Sequence, residues 1–443
     1  MIINKKKLLI SINIAHGMGK YLFIIISVFL AFSAVRAEAK QLLTQSDFTY
    51  IGAFLMPAST GSGDAPFGRG LAHRYVNGEL RMFSTSWNPQ DVYEVKVPTL
   101  SVNGPFQTAQ VARNWGDIYH GQRVTNSGAS EVFGLYWDNA DQRLYWTYGD
   151  VYNTNGGNDP SIGYSTLNDS TGGSTAFGPW SFQGRGPKAD MGCVVPIPDW
   201  FGSAYLAGKR LGVGCGGYFS ILTTGPVSMG PALTAINPPG QSGGSVSYTN
   251  LVGYPAGSGY PSQAADWGHR DTNYIGTGNW VAPSPQNGIG YWTAGDYLWQ
   301  AAAWIDLPDK SGLIYFPSIS KGHIFYQTST LNADGANHWW YEYDPADLAR
   351  VAQGLSQSAI QPAAEWQVNY PGLSYPLPAW SDLPPNKVTG VTYDSTTKRL
   401  YIAVEMAGAG GAYGVHKVYV YQVQSGASSD TTPPSAPTGL RRR

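Results

Sequence analysis

The densest group of chemically active side chains lies at residues 266–273, where the sequence reads Asp-Trp-Gly-His-Arg-Asp-Thr-Asn. A histidine beside a carboxylate can act as a general base, and an arginine can hold an anion. This pattern makes His269, Arg270 and Asp271 candidate catalytic residues. Asn273, two positions further on, is a candidate ligand-binding residue. A network of ordinary loop hydrogen bonds is the alternative interpretation.

A second group lies at residues 114–123, with the sequence Asn-Trp-Gly-Asp-Ile-Tyr-His-Gly-Gln-Arg. Tyr119 and His120 are further candidate catalytic residues. A polysaccharide lyase needs a cation that neutralises a uronate carboxylate and a base that removes the adjacent proton. If the loops that carry the two groups met on one face of the fold, Arg270 and His269 would complete such a site.

Candidate ligand-binding residues also occur outside these groups. Arg69 and His73 are four positions apart in a strand pattern, so the period of two places both on one face. Tryptophans in loop-like sequence offer flat rings that stack on sugars. The tryptophans assigned this role are Trp115, Trp267 and Trp292. Such rings would equally serve to cap sheets and fill loops.

The sequence predicts no cofactor and no metal ligand. It contains no phosphate-binding loop, no nucleophile elbow, and no histidine or cysteine pattern typical of zinc. Asp and Asn oxygens at residues 148–153 and at Asp159 could bind a structural calcium ion, although the spacing is not that of an EF-hand. Turn formation is the competing interpretation of these side chains.

The composition indicates an all-β protein. Of the 443 residues, 13% are charged, 13% are aromatic and 55 are glycine. This mixture is typical of many short strands with Gly-rich turns and not of a helical bundle. Residues 1–37 hold five of the 28 basic residues and none of the 29 acidic ones, so the rest of the chain is mildly acidic. That charge balance argues against nucleic-acid binding.

Four segments predict β-hairpins, because each has two period-two strands around a polar turn. They span residues 70–84, 134–148, 312–326 and 390–404. Hairpins at wide, uneven spacing predict a β-propeller with long inserted loops, and the length favours six or seven blades. A β-sandwich is the alternative. Strands at 48–54 and 417–423 would close the propeller by pairing the two chain ends.

Helix signals are sparse. Asp344 is a good N-cap, Pro345 suits the first helical position and Gly354 suits the C-terminal stop. These residues predict one short helix that begins at Pro345.

The start of the chain predicts an export signal. Lysines precede an apolar run at residues 21–34, and Ala34-Val-Arg-Ala37 follows as a small-x-small cleavage site. An uncleaved membrane anchor is the alternative, and translation could start at Met1 or Met18. The predicted divisions are a signal peptide at 1–37, a folded domain at 42–424 and a linker at 425–443. We therefore expect a secreted protein, with the periplasm or the cell surface as the alternative location.

The chain has two cysteines, Cys193 and Cys215, both in Gly-rich sequence. In an oxidising compartment such a pair predicts a disulfide. Two buried free thiols on neighbouring strands are the alternative.

Two resemblances accompany these patterns. Residues 430–440, Asp-Thr-Thr-Pro-Pro-Ser-Ala-Pro-Thr-Gly-Leu, resemble the opening of a bacterial fibronectin type III domain, which implies a modular extracellular protein. The body resembles largely uncharacterised secreted bacterial proteins with a propeller-like fold. The segments that carry this resemblance are 48–54, 67–72, 92–98, 303–306, 311–316, 343–349, 388–394 and 399–402. It implies a fold and no transferable activity.

These observations favour a secreted propeller that binds extracellular glycan as a module of a larger surface protein. A polysaccharide-cleaving enzyme of lyase type is the second hypothesis, and whether the protein is an enzyme stays open. A non-catalytic scaffold with a protein partner is the third. We expect contact with a membrane only through the export signal.

Overall fold

The computed structural model describes residues 40–58, 69–86, 90–123, 131–149, 159–182, 185, 190–214, 231–240, 244–254, 272–274, 296–297, 301–327, 330–373, 388–405 and 415–425. At 272–274, 296–297, 318–327 and 330–337 it describes the backbone alone.

These residues form five mainly antiparallel sheets, each of which is one blade. Blade 1 contains β2 (Arg69–Val76), β3 (Glu79–Thr85), β4 (Val92–Lys96) and β5 (Gln110–Gly116). Blade 2 contains β6 (Glu131–Asp138), β7 (Arg143–Gly149), β8 (Ile162–Leu167), β9 (Ser174–Phe182) and β13 (Gly244–Val246). Blade 3 contains β10 (Cys193–Pro196), β11 (Leu211–Gly214), β12 (Leu233–Ile236) and β14 (Tyr248–Val252).

Blade 4 is larger. It contains β15 (Thr272–Tyr274), β16 (Asp296–Tyr297), β17 (Ala302–Asp306), β18 (Ser311–Tyr315), β19 (Ser318–Gln327), β20 (Thr330–Tyr343) and β21 (Ala364–Gln367). Blade 5 contains β22 (Val388–Asp394), β23 (Arg399–Val404), β24 (Lys417–Val423) and β1 (Phe48–Leu55). Two short helices, α1 (Asp199–Tyr205) and α2 (Pro345–Ala352), connect strands. No helix among the described residues is long and apolar enough to cross a membrane.

The innermost strands form a ring, in which neighbours contact one another in the order β2, β6, β10, β17, β22 and back to β2. Adjacent strands of this ring run parallel, because residues further along one strand contact residues further along its neighbour. His73 lies beside Thr392, and Tyr75, two residues on, bonds to the next-but-one residue of β22. We call the end of the ring where these strands begin the amino end, and the opposite end the carboxyl end.

The apolar core lies in the seams between blades. Five clusters of buried side chains fill the five seams, and each cluster draws on two adjacent blades. A β-sandwich would instead have a single core between two sheets. The prediction of a propeller is therefore confirmed, but the prediction of six or seven blades is wrong. The length suggested more blades because long segments between strands and the extended β19–β20 pair add residues without adding a blade.

The predicted closure is confirmed. β1 pairs with β24 from Phe48↔Val423 to Leu55↔Lys417. The free edge of β1 is covered by the chain between β4 and β5, since Ala53 N donates to Ser101 O at 2.8 Å and Leu55 N donates to Gln107 O at 2.8 Å. Edge strands that are paired or covered do not recruit other chains.

Three of the four predicted hairpins are present, as β2–β3, β6–β7 and β22–β23. The fourth, at 312–326, is wrong because β18 pairs with β17 and β20, whereas β19 forms its hairpin with β20. Pro317 separates β18 from β19, so no tight polar turn joins them. The predicted helix is confirmed as α2, whose N-cap Asp344 accepts a hydrogen bond from Ala346 N at 2.7 Å.

Candidate functional site

A buried ion pair stands at the amino end of the ring. Arg69 begins β2 and Glu131 begins β6, and the guanidinium of Arg69 bonds to the Glu131 carboxylate. The Arg69 side chain is 2% exposed, whereas that of Glu131 is 25% exposed. The guanidinium also lies 5.4 Å from the centre of the Phe133 ring. The carboxylate of Glu131 is thus fixed by a buried cation, while the Glu131 side chain remains partly exposed.

The residue after Glu131 is also held from a neighbouring blade. Val132 N donates to Oε1 of Gln90 at 2.6 Å. Gln90 is buried and has a positive φ of 74°, which non-glycine residues rarely adopt. This cross-blade contact fixes the start of β6, and with it the position of Glu131.

His73 lies in the seam on the other side of β2. Its Nδ1 is 2.7 Å from Thr392 Oγ1, and its Nε2 is 3.7 Å from an oxygen of Asp394. Burial lowers the pKa of His73, and the opposing effect of Asp394 does not cancel this. The expectation that Arg69 and His73 share a face is wrong. The register of β2 shifts between Arg69 and Ala72, and this bulge turns the two side chains towards opposite neighbours.

Tyr119 lies in the core of the seam between blades 1 and 2. Its ring meets that of Trp146 edge-on at 5.2 Å, and the Arg123 guanidinium lies 4.6 Å from its centre. Burial raises the pKa of Tyr119, and its buried hydroxyl has no hydrogen-bond partner among the described residues. His120 is exposed instead, and its Nε2 lies 2.9 Å from Ser174 Oγ. The two adjacent side chains thus have different surroundings.

Trp115 is a core residue, 5% exposed. Its Nε1 donates to Glu94 Oε2 at 3.0 Å, and the guanidinium groups of Arg74 and Arg113 lie 5.5 and 4.7 Å from its ring centre. Arg74 also forms two hydrogen bonds of 2.9 Å with the fully buried carboxylate of Glu94. These contacts join blade 1 to the seam with blade 2. Sequence reasoning missed this cluster, although an arginine within an apolar strand pattern is a usable signal.

The remaining predicted site residues fall largely outside the described part of the chain. Those outside are His269, Arg270, Asp271, Trp267, Trp292 and Cys215. Asn273 lies in β15, where its backbone pairs with His323. Cys193 is buried at the start of β10. The catalytic, ligand-binding and disulfide roles of all these residues stay predictions.

The carboxyl end of the ring carries a repeated arrangement. Asp138 ends β6, and its Oδ1 accepts from Ala140 N at 2.9 Å while its Oδ2 accepts from Arg210 of the next blade at 2.8 Å. Asp394 ends β22 in the same way. Its Oδ1 accepts from Thr396 N at 2.9 Å, and its Oδ2 accepts from Tyr75 of the next blade at 2.6 Å. Each aspartate therefore fixes a turn and joins two blades.

Within the described ranges, no group of three or more His, Cys, Asp and Glu side chains is arranged to hold a metal ion. The calcium site considered around residues 148–153 lies mostly outside those ranges, since the structure describes only residues 148 and 149 of that segment. Asp159 itself is buried.

No family model and no curated protein matches the chain. Among solved structures, it is similar to the GH43_1 enzyme from Xanthomonas citri complexed with xylose, with 10% identity, a TM-score of 0.39, and coverage of 82% of this chain and 88% of that one. It is also similar to a putative glycoside hydrolase from Bacteroides ovatus, with 11% identity, a TM-score of 0.39, and coverage of 89% and 97%.

A third similar structure is the α-L-arabinofuranosidase from Podospora anserina in complex with cellotriose, with 11% identity, a TM-score of 0.32, and coverage of 84% and 97%. Likenesses of this size assign neither a family nor an activity, so the fold rests on the five sheets and their seams.

Proposed function

We propose that the protein binds glycans at the amino end of its propeller, with the Glu131 carboxylate accepting hydrogen bonds from sugar hydroxyls. The carrying observation is the pair of a buried Arg69 and a partly exposed Glu131, at the starts of two adjacent inner strands. Ligand sites typically hold a few fixed polar groups that set the ligand's orientation. A carboxylate held by a buried guanidinium is such a group.

The chemistry of the pair suits a polyhydroxylated ligand. A carboxylate has two oxygens that can accept bonds from neighbouring hydroxyls. The guanidinium of Arg69 bonds to Glu131 and packs over the Phe133 ring, so the role of Arg69 is to position the carboxylate.

The alternatives are less well supported by the described residues. A lyase that used Tyr119 as its base would have to deprotonate a phenol whose pKa burial raises. A protein scaffold would need an apolar docking surface. Among the large hydrophobic side chains that the structure describes, only Val102 and Val111 are prominently exposed.

Affinity electrophoresis tests the proposal. The full chain is run in gels that contain neutral or acidic polysaccharides, beside Glu131→Gln and the control Glu79→Gln, whose exposed carboxylate lies at the carboxyl-end side of blade 1. We expect at least one polysaccharide to slow the wild type and the control, and to slow Glu131→Gln much less. If no polysaccharide slowed the wild type relative to a gel without polysaccharide, glycan binding would be contradicted, and equal retardation of all three proteins would contradict the role of Glu131.

A second assay addresses cleavage. Incubation with uronic-acid polysaccharides, followed by the absorbance of unsaturated products, would reveal a lyase. Product formation that is lost in His120→Ala would revive the enzyme hypothesis, and retardation without product favours binding alone.

We also propose export of the protein, with cleavage after Ala37 and a disulfide between Cys193 and Cys215. N-terminal sequencing of the protein secreted by a bacterial host should begin at Glu38. Thiol labelling after denaturation should modify both cysteines only when a reductant is added. A retained leader, or labelling without reductant, would refute the corresponding part.

A further inference from the structure

Most of the buried cations among the described residues are ion-paired. In the part of the chain that the structure describes, five Lys and Arg residues are less than a tenth exposed: Arg69, Arg74, Arg185, Lys310 and Lys417. The first four each bond to a carboxylate, namely Glu131, Glu94, Asp190 and Asp47, respectively. Lys417 differs from them.

Lys417 begins β24 and is 3% exposed. Its Nζ donates to Gly372 O at 3.3 Å, and it lies 4.3 Å from the centre of the Phe106 ring and 5.4 Å from that of Tyr419. None of the described carboxylates lies within ion-pair distance of it. An ammonium has three N–H donors, so two of them lack a partner among the described residues.

This arrangement has a cost for the folded state. Burial lowers the pKa of Lys417, since desolvation disfavours the charged amine. The two aromatic rings offset part of this cost through cation–π attraction. A neutral side chain of similar shape would fill the same space without the penalty, so a lysine at this position is best explained by something the charge binds.

Among the described residues, there is space for a ligand atom beside the amine. Gly372 has no side chain and a positive φ of 68°. A methyl group built on it would lie 3.7 Å from Lys417 Nζ and, apart from its chain neighbours, would meet no other described atom within 4 Å. The vacant side-chain position of Gly372 therefore borders the charged nitrogen. Through its pairing with Val404 and Leu55, Lys417 also lies on the amino-end side of blade 5.

We propose that Lys417 binds a carboxylate of an acidic glycan, so that the ligands of this protein are uronic-acid-containing sugars. This inference rests on the proposed glycan-binding function and narrows it to one chemical class. The ammonium supplies the two N–H donors that have no partner among the described residues, and the ligand's carboxylate supplies the counter-ion. Bonds of this charge-assisted kind are among the stronger ones in proteins.

Three variants and three ligands test the proposal. The variants are Lys417→Met, which keeps the shape and loses the charge, Lys417→Arg, which keeps the charge, and Lys96→Met, which removes an exposed charge elsewhere. The ligands are oligogalacturonate, galacturonic acid and a neutral galacto-oligosaccharide. Binding is measured by calorimetry and stability by thermal unfolding, at constant ionic strength.

We expect the wild type to prefer the acidic oligomer over the neutral one. Lys417→Met should bind the acidic oligomer about 10- to 100-fold more weakly. Without ligand it should unfold about 1–3 °C higher than the wild type. Lys417→Arg and Lys96→Met should keep most of the affinity, and the neutral oligomer should bind all four proteins alike.

Galacturonic acid distinguishes recognition of the carboxylate alone from recognition within a chain. Equal binding of the acidic oligomer by the wild type and Lys417→Met would overturn the proposal, as would a wild type without preference for acidic sugars. Neutral-glycan binding that depends on Glu131 would in that case leave the proposed function intact. Absence of binding to every sugar would overturn both.

Discussion

The two ends of the inner-strand ring use their charged residues differently. At the carboxyl end, Asp138 and Asp394 use both carboxylate oxygens within the protein, one on a turn and one on the next blade. At the amino end, Glu131 keeps a quarter of its side chain exposed, and Lys417 has no carboxylate partner among the described residues. The first arrangement holds blades together, and the second leaves groups that can bind a ligand.

This difference shows where function can reside in a ring of similar blades. The near-repeated hairpins β6–β7 and β22–β23 share a strand-ending aspartate and its turn at the carboxyl end, where the chain must turn and the blades must join. At the amino end both hairpins share a register shift, between Val132 and Gly134 in β6 and between Val388 and Gly390 in β22. The side chains that begin these two strands differ, with Glu131 in β6 and Val388 in β22.

The largest expected effect is a pH dependence of stability that arises from Glu342, a buried residue of β20. It is fully buried, and its Oε1 accepts from Leu43 N at 2.8 Å. Burial raises the pKa of Glu342 to about 8, and neither Leu43 nor Lys310 offsets this. The folded state therefore holds a proton that the unfolded state releases. The free energy of unfolding should fall as the pH rises from about 5 to 8, by about 1.4 kcal/mol per pH unit at the steepest point.

Urea unfolding across this pH range tests the effect. Glu342→Gln, which cannot lose a proton, should match the wild type near pH 5 and should be several kcal/mol more stable near pH 8. Parallel curves for the two proteins would show that the Glu342 carboxyl is not held in its neutral form.

A smaller loss of stability is expected when one of the two strand-ending aspartates at the carboxyl end is replaced. Asp138→Ala loses two turn hydrogen bonds and the partner of Arg210, so the free energy of unfolding should fall by about 2–3 kcal/mol. Asp141→Ala is the matched control, because Asp141 contacts the same arginine from a more exposed position. It should cost less than about 1 kcal/mol. Similar losses in both variants would contradict a special role for the strand-ending aspartate.

The smallest effect is expected in the His73 seam. Thr392→Val removes the hydroxyl that lies 2.7 Å from His73 Nδ1, which should cost about 1 kcal/mol in urea unfolding. Thr49→Val, at an exposed position of β1, should change stability by less than about 0.5 kcal/mol. If Thr392→Val were as stable as that control, the contact would not contribute to holding blades 1 and 5 together.

The sequence predicted what depends on local patterns. Period-two strands around Asp or Asn turns identified three hairpins, and the apolar strands at the two chain ends identified the closure. Asp344 and Pro345 identified the start of α2. Each of these features is determined by residues close together in the chain or by the need to cover a sheet edge.

The remaining features depend on contacts between blades. Arg69 and Glu131 are 62 residues apart and meet only because β2 and β6 are neighbours in the ring. A bulge in β2 reverses the direction of Arg69, and the alternation of residues does not reveal it. The number of blades was missed for a related reason, since chain length does not distinguish a blade from an insertion. The absence of a carboxylate beside Lys417 among the described residues likewise depends on which segments the fold brings together.

Hydrogen exchange of the full chain, with and without the polysaccharide that slows it most, tests glycan binding at the amino end most directly. We expect slower exchange in peptides that contain the starts of β2 and β6, around Gly70 and Val132. The turns at the carboxyl end, around Ala140 and Thr396, should exchange at unchanged rates. Protection of those turns without protection at the amino end, or no protection anywhere at saturating ligand, would contradict glycan binding at the amino end.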